Sequence, residues 1–367
     1  MERALPASAL MALLLTAAAS LAQPPVLETS PLRGEICLND QWRFMPAAGA
    51  AAEEPTGAWG LLRVPGSWSR CGSLPGVEER PEGAPWADVD LEQLGRGWYE
   101  YDVAIPAEWG GRAILLELTR VSTDAVVLAN GIECGEIHWP RGEVDITDAV
   151  TPGETATLRV LVLAVHDQEE VVVYMGVGEG MQWTEPASLA SRGIIGEAFL
   201  RSRPAGAHVG GVFVQPSVRE ESITLDVDLA DVTQAGDVAF TARMLGESGA
   251  EERVFEATRA VETADSQTVS LTWDWPDPRL WDLWQPELYT LILEAEGAGI
   301  EDAYPQQFGF REFWIDGLSF YLNGTEIRLR PINVSDNYNG AAWVVEAIEH
   351  TLGQYRQMGF NIGEHWP

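Results

Sequence analysis

A chain of 367 residues, 46% of them hydrophobic, is long enough for two or three domains, each with a core of its own. Its charge is lopsided, 23 basic residues against 56 acidic ones for a net charge of −33. Such a surface repels nucleic acid and anionic membranes, which excludes both as partners, and keeps a secreted protein soluble in salt. Three cysteines, Cys37, Cys71 and Cys134, are too few and too scattered for a disulfide framework or a zinc site. Buried free thiols are expected, with a single bridge as the alternative, and no metal or other cofactor is implied.

Residues 1–22 carry Arg3, an apolar run through Leu10–Leu15, and Ser20-Leu21-Ala22 with small residues where a signal peptidase needs them. They read as a secretory signal peptide, so the protein is expected to be exported, periplasmic or extracellular. The alternative is an uncleaved anchor, since Ala4–Ala22 is nearly as long as a membrane span.

From Leu32 to about Pro216 the chain is a series of short apolar segments separated by turn residues, with no useful helical periodicity. Leu38–Phe44, Ala113–Val121 and Ala125–Ala129 read as strands. Asn130-Gly131 reads as a hairpin turn into Ile132–Ile137. Thr157–Val165 is apolar enough to be buried on both faces. A two-sheet sandwich is predicted. Trp68 and Trp98 present flat rings that suit a sugar's CH face, but aromatics inside a sandwich usually belong to its core, and that is the expectation. Between Val165 and Gly210 the pattern loosens. Strict alternation returns at Ile223, Leu225, Val227 and Leu229, followed by further strands at sandwich spacing to Leu288–Glu294.

After Gly309 the grammar changes. Phe320–Leu322 and Thr325–Leu329 flank Asn323-Gly324, a type I′ hairpin signal. A polar loop, Asn333–Gly340, leads to Val344, Ile348, Leu352 and Tyr355, which lie on one face of a helix. Gly359 suits the helix stop, and Phe360-Asn361-Ile362 opens another strand. Strand, loop, helix, strand is the unit of a parallel α/β fold.

Four phrases in this order resemble glycoside hydrolase family 2, the β-galactosidases, β-glucuronidases and β-mannosidases: FGFR at Phe308–Arg311, LNG at Leu322–Gly324, LR at Leu329–Arg330, and MGFN at Met358–Asn361. Upstream, VPGSW at Val64–Trp68, GWY at Gly97–Tyr99 and Asp145-Ile146-Thr147 are similar to pieces of the family's N-terminal domain, and Trp281–Leu291, WDLWQPELYTL, to a signature of its second. Gly193–Gly196 only blurs a phrase that Gly210–Phe213 matches better.

The resemblance implies a mainly β chain: signal peptide 1–22, jelly-roll sugar-binding-like domain 23–216, immunoglobulin-like β-sandwich 217–309, and the first β/α unit of an incomplete TIM barrel at 310–367. It implies a retaining glycosidase acting on a carbohydrate substrate, with two carboxyl groups about 5–5.5 Å apart on the C-terminal face of the barrel. A barrel takes roughly 250 residues, and about 50 follow Gly317. No catalytic residue is therefore expected in this chain: the acid/base and the nucleophile are expected beyond Pro367. Glu346 and Glu349 fall on the outer helix, and Glu364 follows the second strand, where glucuronidases carry an arginine. The residues expected to bind substrate are Asn333, Asp336, Asn337 and His365. For Asn333 and Asp336 the alternative is turning the loop and capping the helix. The rival reading of the whole is a non-catalytic carbohydrate-binding or scaffold protein made of β-sandwiches.

Overall fold

The structure, a computed structural model, describes residues 26–30, 32–47, 55, 58–69, 77–79, 86, 88–164, 168–175, 181–187, 191–333 and 345–364. Side chains are given for all of these except 26–29, 77–79, 168–175, 181–187, 333, 345–349 and 364. The fold is mainly β, two sandwiches followed by a small β/α unit.

The first sandwich packs a five-stranded antiparallel sheet on a seven-stranded one. The five run in the order Val26–Ser30, Arg33–Cys37, Ala198–Pro204, Arg112–Leu118, Gly142–Asp145. The seven run Ile132–His138, Asp124–Ala129, Thr155–Leu163, Arg96–Ala104, Gln41–Pro46, Gly60–Arg63, Val77–Glu79. Strands of both sheets give residues to one core that includes Ile36, Trp42, Phe44, Leu116, Val127, Leu158 and Leu200. Trp68 and Trp98 are 2% and 5% exposed, and Trp68 stacks on Phe44 at 5.7 Å. Both belong to the interior and neither offers a face to a sugar. The Asn130-Gly131 turn has φ of 50° and 81°, the left-handed pair that a type I′ hairpin requires.

Two expectations need correction. Thr155–Leu163 is buried on both faces only at Val160–Val162; before that it alternates, because Thr157 and Arg159 face a polar network around Glu100. Cys37 and Cys134 are free thiols, but Cys37 is exposed and Cys134 half-buried, because Cys37 falls on the outward-facing parity of its strand. Cys71 lies outside the described residues.

The second sandwich pairs a three-stranded sheet, His208–Ser217, Ser222–Val232, Ala264–Asp274, with a four-stranded one, Glu251–Val261, Gly236–Leu245, Tyr289–Gly297, Ile300–Phe308. Ile223, Leu225, Val227 and Leu229 are fully buried, as their alternation requires. The core already includes Ala207 and Val209, and Pro216 pairs with Ile223 inside a sheet.

A polar clamp joins the sandwiches. Arg33 donates through Nε and Nη2 to the two oxygens of Asp302 at 2.9 and 2.6 Å, and Nη2 also reaches the Val209 carbonyl at 2.6 Å. Asp302 also accepts the Val209 and Ala303 N–H groups, so its fully buried carboxylate is satisfied on both oxygens. The Arg33 guanidinium lies 4.7 Å from the Tyr304 ring centre.

Past the second sandwich come a three-stranded antiparallel sheet, Phe313–Asp316, Ser319–Leu322, Thr325–Ile327, then a strand Pro331–Asn333, the helix Val345–Gln357 and the strand Ile362–Glu364. The last two strands are parallel. No helix among the described residues is long and apolar enough to cross a membrane.

Candidate functional site

The site is built at the junction where the second sandwich hands the chain to the parallel unit, and the phrases legible in the sequence are its joints. Phe308 stacks on Tyr289 at 5.6 Å. Gly309 lies under the Trp281 indole, where a Cβ would come within 2.8 Å of the ring, closer than packing allows. Phe310 is fully buried, edge-on to Trp275 at 5.3 Å. Arg311 covers the Trp281 ring at 4.3 Å.

Asn323, at φ 51° in the Leu322-Asn323-Gly324 turn, does more than turn the chain. Its side chain donates to the Trp281 carbonyl at 2.8 Å and accepts the Glu312 N–H at 2.9 Å. Glu312, which no motif singles out, is the anchor of the hairpin. One carboxylate oxygen accepts from the N–H groups of Val218 and Arg219 at 2.8 and 3.0 Å and from the Ser217 hydroxyl at 3.2 Å; the other takes Arg219 Nε at 2.6 Å. Partial burial pushes its pKa up, but the Arg219 guanidinium and these donors outweigh that and hold it below the ordinary glutamate value. Arg219 in turn lies over Trp314 at 4.6 Å.

Asn361, the last residue of the MGFN phrase, stitches the parallel strands together where they begin. Its side chain accepts from Arg330 N–H at 2.7 Å and donates to the Arg328 carbonyl at 2.9 Å. Gly359 stops the helix at φ 87°. Arg356 on the helix donates to the Trp284 carbonyl at 2.7 Å, tying the helix back to the second sandwich.

These joints fix the register of the two strands: Pro331 opposite Ile362, Ile332 opposite Gly363, Asn333 opposite Glu364. Both polar residues therefore fall at the C-terminal ends, the edge from which parallel α/β folds present their binding and catalytic loops. The backbone brings together Asn333 and Glu364. Asp336, Asn337 and His365 lie outside the described residues, and Glu346 and Glu349 have only their backbone in the helix.

A cavity of about 500 Å³ lies beside the unit. It is bounded by Trp284, Ile327, Ile332, Tyr355, Phe360 and Ile362, together with Arg328, Arg330 and Arg356, and among the described residues by no carboxylate or histidine. Among the described residues no group of three or more His, Cys, Asp or Glu side chains is placed to hold a metal.

Fold and site together define a modular β protein in which two sandwiches carry a parallel β/α unit with its polar edge at the strand C-termini. Residues 207–311 match the sequence profile of glycosyl hydrolases family 2. The chain is 26% identical over 338 residues to the β-galactosidase BoGH2A of Bacteroides ovatus, a match covering 88% of this chain and 37% of that protein. It is 25% identical over 364 residues to a β-galactosidase of Priestia megaterium, covering 90% of this chain and 34% of that one. Among solved structures, a glycosyl hydrolase family 2 member from Bacteroides cellulosilyticus superposes with a TM-score of 0.67 at 21% identity, over 90% of this chain and 44% of that one. A β-glucuronidase from Ruminococcus gnavus in complex with D-glucuronic acid superposes with a TM-score of 0.66 at 17% identity, over 93% and 57%. Residues 207–311 thus carry the glycosyl hydrolase family 2 profile and the chain is similar to members of that family along most of its length, while it spans a little over a third of the length of these β-galactosidases.

Proposed function

We propose that this chain is the N-terminal part of an exported, retaining β-glycosidase, and that both carboxyl groups of the catalytic pair are supplied by residues after Pro367. The observation that carries this reading is the junction. Phe310, Glu312, Asn323 and Asn361 join the second sandwich to a parallel strand pair, and the two strand ends that would face substrate, Asn333 and Glu364, are in register. In this role the sandwiches hold the first β/α loop in place, and Asn333, Asp336, Asn337 and His365 shape the sugar subsite around a glycosidic bond cleaved elsewhere. An acidic residue at this strand end, Glu364, favours a neutral sugar over a hexuronic acid by charge repulsion.

The test compares residues 23–367 with the same reading frame carried through a full barrel, on aryl β-galactoside and aryl β-glucuronide. The short chain is expected to release no aryl alcohol, and the long one to act with retention of configuration and to prefer the galactoside. Turnover by the short chain that Glu364→Gln abolishes would overturn the proposal. Sugar binding without turnover by the long frame would favour a carbohydrate-binding scaffold instead.

A further inference from the structure

All 23 of the basic residues are arginine; the chain has no lysine, while it has 56 acidic residues. The structure shows how so few cations are used. Arg43 sits between Glu100 at 2.7 Å and Asp102 at 2.9 Å, and Arg201 between Glu117 at 2.9 Å and Glu35 at 3.0 Å. Arg243 sits between Glu251 at 2.9 Å and Glu294 at 3.1 Å, and Arg279 between Glu252 at 3.0 Å and Glu287. Around Arg201, Arg243 and Arg279 each trio keeps a net negative charge, whereas Arg159 also reaches Glu100 at 2.6 Å and balances the Arg43 cluster.

Two like-charge pairs are built directly into the ladders. Glu296 faces Glu301 across adjacent strands of the second sandwich, and Glu143 faces Glu117 in the first. Residues so placed have Cβ atoms about 4.5–5.5 Å apart, and like charges there are destabilising. At Glu117, burial first, then Glu143 and Glu35, push the pKa up against the pull of Arg201. The two cores, by contrast, are ordinary closed sandwich interiors.

We propose that this fold is built for high ionic strength: dissolved salt stabilises it by screening carboxylate repulsion that its arginines leave uncompensated. The sign follows from numbers of charges. Salt weakens the attractive pairs too, but surface pairs contribute only about 0–1 kcal/mol each, and 56 acidic residues face 23 arginines. The screening length falls from about 10 Å at 0.1 M to about 3 Å at 1 M, which takes it below the spacing of the opposed glutamates. The benefit should therefore grow up to molar salt rather than saturate at physiological strength. The inference is independent of the glycosidase reading.

Thermal unfolding of the chain at pH 7.5 in 0.05, 0.2, 1 and 2 M NaCl tests it. A Tm rise on the order of 5 °C or more between the ends is expected. Glu301→Lys and Glu143→Lys each turn an opposed pair into an attractive one. Each should raise Tm in 0.05 M NaCl and reduce the gain on going to 2 M. Sucrose strengthens burial without screening, so its gain should be the same in both variants and the parent chain. A Tm that is flat or falls with NaCl would overturn the proposal, as would an equal NaCl gain in the parent and in both variants.

Discussion

The two halves of the second sandwich close on each other; the unit that follows is tied to them at a few joints and leaves several described apolar residues open. Leu225, Phe240, Leu291 and Phe310 are each at most 1% exposed. In the segment after Gly309 the residues that should play the same part are open: Phe313 is 50% exposed, Ile315 63% and Leu352 53%. The sequence patterns are equally regular in both regions. Alternation and helical spacing state which face a residue takes; burial depends on whether a second layer lies over that face. The sandwiches bring both layers with them. The junction sheet places Phe313, Ile315, Phe320, Leu322 and Ile327 on one face, and only Leu322 is buried there.

Substitutions should divide along the same line. Phe310→Ala removes a ring from a closed core and should cost about 3–5 kcal/mol, read as a shift of the urea midpoint of the main transition. Asp302→Ala leaves the Arg33 guanidinium buried beside Tyr304 without its carboxylate. Breaking a buried pair of this kind costs about 3–5 kcal/mol, and the loss should also appear as faster proteolysis between the sandwiches, around Arg203–Gly206. A variant as stable and as protease-resistant as the parent would show that the clamp does not set the interface.

Glu312→Gln keeps the shape of the hairpin anchor and removes its charge, for an expected loss of about 1–3 kcal/mol confined to the junction. The pH dependence has a definite sign. The folded-state pKa of Glu312 lies below its unfolded value. Its contribution is therefore complete above the ordinary glutamate range and is lost as pH falls through the depressed value. Fluorescence of Trp314, which Arg219 covers, should report this loosening as pH falls below the ordinary glutamate range, and the acid transition should vanish in the variant. Leu352→Ser should be the mildest change, within about 0.5 kcal/mol, with less self-association because an exposed apolar residue has gone.

Much of this architecture is legible in the residues. The alternation at Ile223–Leu229 and the Asn130-Gly131 and Asn323-Gly324 turns are local signals, and the structure follows them. The clustered phrases after Phe308 are legible as words, but their physical content is not. That Gly309 must fit under Trp281, or that Asn361 bridges the starts of two strands, depends on partners that sequence spacing does not reveal. Arg33 and Asp302 could not have been found, being 269 positions apart and without a motif at either end. Glu312 sits one residue after FGFR, and its partners come from the far end of a strand that closes the other sheet. At the strand ends only the backbone register of Asn333 opposite Glu364 is described.

The contrast between closed sandwiches and an open junction is tested most directly by amide hydrogen exchange on the monomeric chain. The Ile223–Leu229 amides, central in a covered sheet, should exchange only through global unfolding. Those of Val345–Gln357, a helix between two short strands, should exchange through local opening and at least a hundredfold faster, about 2.8 kcal/mol less protected by the relation of about 1.4 kcal/mol per tenfold. Equal protection of the helix and the Ile223–Leu229 strand in a monomer would contradict the account, because it would mean that the unit is already complete.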